Sequence, residues 1–153
     1  MYLRYLIYVL KHKWHVFKIC CMKGMFIHAF THDLSKFLPS EFIPYAKYFY
    51  GGKKNKTEFR LAVLEHYHRN KHHIAHWVGS DGKVFDMPEK YVKQLIADWW
   101  AMSYAKKKKE YGNIGIRSNE VLDDLMKFYQ NMDHSQMSTI TCFYIEDHLR
   151  RLK

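Results

Sequence analysis

A histidine followed directly by an aspartate, His32-Asp33, sets two metal-capable side chains on adjacent backbone positions, and Lys36 follows one helical turn later. Imidazole is a borderline ligand and carboxylate a hard one. Together they suit Fe, Mn, Zn or Ni rather than a calcium-type cage of oxygens. The chain holds 11 histidines in 153 residues. His66, His68, His72, His73 and His76 crowd one short segment, with Arg69 and Asn70 among them. A further carboxylate has an unusual setting. Tyr91, Leu95, Asp98 and Met102 follow a helical repeat, which puts Asp98 on a core-facing line beside Trp99 and Trp100. A buried carboxylate needs a cation, a hydrogen-bond donor or a raised pKa. Other chemistries lack their signatures. There is no HExxH, no zinc-finger spacing, no glycine-rich phosphate loop and no GxSxG elbow.

These residues must be positioned by helices. Only 7 Gly and 3 Pro occur, and 48% of residues are hydrophobic, so the reading is all-α: one domain over residues 1–153 with about six or seven helices. Leu3, Leu6, Leu10, Trp14, Phe17 and Cys21 recur at helical steps and predict a helix over 2–22, with Arg4, Lys11 and Lys18 on an opposing stripe. A second helix is expected over 25–36, carrying His28 and His32 on one face. Pro39 and Ser40 open a third, to about Tyr50, rich in aromatics. Thr57 caps a fourth, over 58–69. Gly79-Ser80-Asp81-Gly82 signals a turn, and Pro88 starts a long helix to about Lys109. Residues 111–117 read as a loop. Ser118 caps a helix over 119–131, and Ser138 or Thr139 opens the last, to about Arg151.

Composition narrows the partners. A formal net charge of +10 favours a polyanion, either a nucleotide or nucleic acid. Three cysteines, two of them adjacent, do not form a disulfide framework, and a reducing cytoplasm is the expected compartment. Basic residues interrupt the apolar N-terminal stretch too often for a membrane span or an export signal.

The order His15 … His32-Asp33 … Asp98 resembles the H…HD…D signature of the HD-domain metal-dependent phosphohydrolases, in which four residues from separate helices bind one metal. His32-Asp33-Leu34-Ser35-Lys36 is also similar to the HDxGK form of the cyclic-dinucleotide phosphodiesterase branch, with Ser35 where that branch has glycine and no GYP motif afterwards. In that branch a later His and a His-His pair hold a second metal, places that His66 and His72-His73 fill here. A closer resemblance is to a small bacterial and phage family with HDLSKF-P-EF, H-x-H-x-RN-x-HH and MP-x-x-Y…DW motifs. It covers residues 12–104 through His32 to Phe37, Pro39, Glu41-Phe42, the 66–73 cluster, Met87-Pro88, Tyr91 and Asp98-Trp99, and it brings no activity with it.

The resemblance implies a metal-dependent hydrolase of a phosphoester or nucleotide, holding one or two divalent transition metal ions. His15, His32, Asp33 and Asp98 would form the first site, and His66 and His72 a second. The gap of 17 residues from His15 to His32 is short for the superfamily, which makes His12 a rival first ligand. Asp33 and Lys36 would serve the chemistry, with Lys36 neutralising phosphate charge. Arg69 and His73 would bind substrate oxygens. His68 and His76 read as outer or surface residues, and Glu41 as a helix-start acid rather than a partner for a ligand histidine. Two other classes stand beside this one: a di-iron oxidoreductase of HD-like fold, and a non-enzymatic basic module binding nucleic acid through Lys53, Lys54, Lys56 and Lys106 to Lys109.

Overall fold

The computed structural model describes residues 1–52, 54–111 and 117–152. The chain is all-helical: α1 (Tyr2–Met22), α2 (Phe26–Thr31), α3 (Pro39–Tyr50), α4 (Lys56–Arg69), α5 (Glu89–Tyr111), α6 (Ser118–Gln130) and α7 (Thr139–Arg150). Short 3-10 turns lie at Leu34–Phe37, Ile74–Trp77 and His134–Gln136. A single antiparallel bridge, Val78 with Val84, is the extended pairing among the described residues.

Local chemistry sets most boundaries. Pro39 opens α3, where its missing N–H costs nothing. Asn55 rather than Thr57 caps α4, its side chain accepting from the Glu58 N–H. Ser138 caps α7 through the Thr141 N–H. The expected loop over 111–117 falls largely outside the described residues, as does Lys53.

The second helix differs from expectation. It ends at Thr31 rather than running to 36. His32 is extended (φ −52°, ψ 127°) and Asp33 is left-handed (φ 53°, ψ 28°), the one non-glycine residue with positive φ among those described. Aspartate tolerates this region better than most side chains. In a continuous helix, residues 32 and 33 would diverge by about 100°. The break turns both toward one point.

Three packing clusters hold the helices. Leu95 and Trp99 of α5 meet Leu125 of α6 and Ile145 and Leu149 of α7. Tyr5 and Val9 of α1 meet Ala46 of α3. Between them Val16 and Cys20 of α1 lie against Ala97 and Ala101 of α5. Small residues at that crossing let the two helices approach closely, which brings Asp98 beside His12.

The buried face of α1 is Tyr5, Val9, His12, Val16 and Cys20. The stripe expected at the core is rotated outward: Leu3, Leu10 and Trp14 are exposed. This helix has apolar residues on both its inward and its outward faces, and the inward one carries a histidine, so hydrophobic period does not mark it. On α5 the expected line holds through Asp98 but not Met102, which is exposed; Ala101 takes the inward place. The α3 aromatics pack among themselves and on Phe59, which stacks on Tyr48 at 3.9 Å.

Candidate metal centre

Five polypeptide segments converge on one buried cluster. α1 supplies His12, the end of α2 supplies His32 and Asp33, α4 supplies His66, the following loop supplies His72 and His73, and α5 supplies Asp98. His12 Nε2 lies 3.0 Å from Asp98 Oδ1, 3.4 Å from His32 Nε2 and 3.9 Å from Asp33 Oδ2. His32 Nε2 lies 3.4 Å from Asp33 Oδ2 and 3.6 Å from Asp98 Oδ1. The other Asp33 oxygen faces a second set: Oδ1 is 3.4 Å from His72 Nε2 and 3.6 Å from His66 Nε2. His73 Nε2 is 2.9 Å from His66 Nε2.

Asp33 therefore spans two donor sets, one oxygen toward each. His12, His32 and Asp98 form one group within metal-binding reach, and Asp33, His72 and His73 form another. A third, His28, His32 and His72, borrows a member from each of the others. Two ions, one in each of the first two groups, would take both His32 and His72 and leave the third group without a place.

The chemistry of these donors fits a cation. Asp33 Oδ1, His72 Nε2, His32 Nδ1 and His28 Nε2 are buried without a hydrogen-bond partner, while Asp33 Oδ2 is ion-paired with Lys36 and Asp98 Oδ1 lies 3.0 Å from His12 Nε2. Buried polar atoms are rarely left so. The acceptors point at one another, an arrangement that positive charge between them would satisfy.

Electrostatics point the same way. Burial opposes the Asp33 charge, but Lys36 and the surrounding histidines hold its carboxyl well below the usual range. Burial likewise opposes charge on Asp98, and His12 and His32 outweigh it. The histidines move down. Burial pushes His32 to about 3, His28 to about 4 and His73 to about 2. Neutral imidazoles beside ionised carboxylates are the protonation states that bind metal without displacing a proton.

A pH dependence follows. Each of these histidines has a folded pKa below its unfolded value of about 6.5. Near neutral pH neither state is substantially protonated and their stability contribution is complete. As pH falls below about 6.5 the unfolded chain takes up protons that the folded chain refuses. Metal-free protein should lose up to about 1.4 kcal/mol per pH unit for each such histidine. Urea midpoints at several pH values between 7 and about 4.5 measure this; a flat profile would contradict it.

Around the donors is a supporting shell. Glu41 is completely buried. Its Oε2 accepts from His66 Nδ1 at 2.9 Å and Ser35 Oγ at 3.0 Å, and its Oε1 accepts from Arg69 Nη1 at 3.0 Å. With Nδ1–H committed to Glu41, His66 presents its Nε2 lone pair inward, as carboxylate-oriented metal histidines do. Asn70 Nδ2 donates to Ser35 Oγ and to the His66 carbonyl, both at 2.8 Å. Lys13 Nζ donates to the Phe30 and His32 carbonyls, each at 2.7 Å, and so fixes the end of α2.

Placed against expectation, His32, Asp33, His66, His72 and Asp98 come together. His15 does not. It sits half-buried against the Tyr104 ring, 5.2 Å between centroids, and His12 occupies the position at the cluster. Counting one turn further back along α1 distinguishes them only once the inward face is known. His73 stands among the donor atoms rather than out toward a substrate. Arg69 is engaged by Glu41, by Glu65 Oε2 at 2.9 Å and by Ser40 Oγ at 3.2 Å, which makes it a brace for Glu41. Glu41 orients a histidine and is not merely a helix-start acid. Lys36 Nζ is 2.6 Å from Asp33 Oδ2; burial opposes its charge, and Asp33 and Asp98 overcome that and raise its pKa. His68 is exposed, with its carbonyl accepting from His76 Nδ1 at 2.8 Å. Ser35, Asn70, Lys13 and His28 are further parts of the site, beyond the residues that the sequence singles out. A glutamate six residues after Ser35, within the same motif, was the available signal for Glu41.

The α1 assignment is directly testable. His12→Ala should strip metal from the first group, lowering its metal affinity by more than about tenfold and the retained metal to about half of wild type. His15→Ala should leave metal content within error of wild type. Elemental analysis of both variants decides it; the reverse pattern would restore His15.

A cavity of about 610 Å³ lined by Ile19, Ile96, Trp100 and Leu152 lies elsewhere and shares no residue with the cluster. In the lysine run, Lys106 pairs with Asp124, and Lys107 Nζ is 3.3 Å from Glu110.

Fold and site define an all-helical protein with a buried histidine–aspartate cluster able to hold metal. A family model described as "Family of unknown function (DUF5662)" matches residues 1–150, and the chain belongs to that family. No curated protein and no solved structure matches it.

Proposed function

We propose that this chain is a metal-dependent hydrolase of a phosphoester or nucleotide, with an HD-type centre of two divalent transition metal ions (Fe, Mn, Zn or Ni). The observation that carries the reading is Asp33, whose two oxygens face different donor sets. The chain order His12, His32-Asp33, Asp98, taken from α1, the end of α2 and α5, supports the HD-type assignment.

Bound there, the ions supply Lewis acidity toward a phosphoryl oxygen and a water nucleophile active near neutral pH. The chain's residues do the rest. His12, His32 and Asp98 hold the first position. Asp33 is shared, and His66, His72 and His73 hold the second. Glu41 fixes the His66 tautomer. Lys36, half-buried and positively charged, offsets charge on the phosphoryl group or its leaving oxygen. The three cysteines are free. No helix among the described residues is long and apolar enough to cross a membrane.

The test is a panel of nucleotides and phosphoesters offered to metal-loaded protein, with phosphate release and oxygen consumption read in parallel. Metal-dependent phosphate release, lost in His12→Ala, is the expected result. Oxygen consumption without phosphate release would make the centre a di-iron oxidoreductase. Neither activity, with salt-sensitive nucleic-acid binding that survives Asp33→Asn, would make the chain a basic binding module.

A further inference from the structure

The side of α1 that faces away from the metal centre has its own organisation. Leu3, Ile7, Leu10 and Trp14 form an exposed apolar stripe along it. Arg4, Lys11 and Lys18, seven residues apart, form a parallel stripe beside it. α2 extends the apolar side with Phe26, Ile27 and Phe30, of which Ile27 is 83% and Phe30 65% exposed. Ring contacts join the two helices into one surface: Trp14 stacks on Phe17 at 5.7 Å, and Phe17 meets Phe30 edge-on at 5.1 Å. Lys18 Nζ sits 5.9 Å over the Trp14 ring, at the seam between the stripes. Exposed apolar side chains are ordinary singly, but a continuous run rimmed by charge marks a contact surface.

Charge selects the occupant. The first acidic residue in the sequence is Asp33, so α1 and α2 carry none. A second copy laid on this face would set Arg4, Lys11 and Lys18 against like charges with no carboxylate from either helix to pair them. A surface pairing an apolar stripe with a basic one, with Trp and Lys at the boundary, is the layout of a helix lying in a lipid interface. We infer that the outward α1–α2 face of this protein binds an anionic lipid surface peripherally, with Trp14, Ile27 and Phe30 entering the headgroup layer and Lys11 and Lys18 contacting the anionic headgroups. The binding is independent of the metal centre, whose residues lie on the opposite side of α1.

Co-sedimentation of the full chain with vesicles tests this, using phosphatidylcholine alone and phosphatidylcholine mixed with phosphatidylglycerol. The protein should pellet with the anionic vesicles, be released by high salt, and stay largely soluble with the zwitterionic ones. Lys11→Gln with Lys18→Gln should weaken partitioning about thirtyfold. Trp14→Ser with Ile27→Ser should weaken it at least about tenfold. Both pairs are surface changes whose folding circular dichroism verifies, and Asp33→Asn should bind vesicles as wild type does. Wild type that stays in the supernatant, that binds both vesicles alike, or that keeps its binding in both double variants overturns the inference. So does a concentration-dependent dimer abolished by Trp14→Ser with Ile27→Ser, which would assign the face to a second copy.

Discussion

Replacing Asp33 by asparagine should empty the centre at both positions. Asparagine keeps the shape of the side chain and tolerates the left-handed backbone at φ 53°, so the effect reads on charge rather than on folding. What is lost is one carboxylate whose Oδ2 lies 3.4 Å from His32 Nε2 and whose Oδ1 lies 3.4 Å from His72 Nε2. Changing a residue that merely orients a ligand costs about 10–100-fold in metal affinity. Removing a ligand shared by two ions should exceed about a hundredfold, and the proposed hydrolysis should fall with it. Lys36 would also lose its 2.6 Å partner and should titrate lower than in wild type. Asp33→Ala adds a backbone cost of about 1–2 kcal/mol, since alanine is strained in the left-handed region. Elemental analysis and thermal melts of the two variants separate the charge effect from the backbone effect. Unchanged metal in Asp33→Asn would remove the basis for a shared ligand.

The second large effect is expected at Glu41. Its two oxygens receive His66 Nδ1, Ser35 Oγ and Arg69 Nη1 in a fully buried position. Glu41→Ala leaves those donors without an acceptor and should destabilise the protein by about 3 kcal/mol. Most of that comes from His66 and Ser35, because the Arg69 side chain is 39% exposed and reaches water. For a chain of this size the melting temperature should fall by roughly 6–12 °C. Glu41→Gln keeps the volume and part of the bonding, so it should cost less stability. It should still lower metal affinity about 10–100-fold, because the His66 tautomer is no longer fixed by a carboxylate. Isothermal titration of both metal-free variants with Mn²⁺ or Zn²⁺ reads this. Equal affinity in Glu41→Gln and wild type would reduce Glu41 to a structural residue.

These two residues also mark where the sequence was and was not legible. The helices were read well where local chemistry stops the chain. Pro39 and Ser138 stand at observed starts, and the 3.6-residue repeat carried α1 and α5 to within a residue or two of their observed ends. Asp98 was legible because a carboxylate on an apolar line needs an explanation whatever the fold. The break at His32-Asp33 was not, since a left-handed aspartate is stabilised by tertiary partners that no local pattern records. His12 was hidden for a related reason. α1 carries apolar residues on two faces, so the helical repeat also marks the stripe through Leu3, Leu10 and Trp14, and that stripe faces outward. The buried face contains an imidazole, which lowers its apparent hydrophobicity. Glu41 was hidden because a glutamate in a first helical turn has a sufficient local reason to be there. Arg69 was given to a substrate because guanidinium suits phosphate, but three oxygen partners within the chain already hold it.

The buried donors explain one another better than they explain a metal-free core. Buried charged groups replaced together by well-packed apolar residues often leave stability unchanged or raise it. The gathering of these donors from α1, α2, α4 and α5 is therefore better accounted for by binding than by folding. The supporting shell agrees, since Lys13 holds the end of α2 and Glu41 holds His66.

The most direct test of the two-position centre is anomalous diffraction from crystals of protein loaded with Mn²⁺, Fe²⁺ or Zn²⁺. One anomalous peak is expected among His12, His32 and Asp98 and a second among Asp33, His66, His72 and His73, with Asp33 reaching both. A metal-loaded crystal with no anomalous peak at this cluster would contradict it.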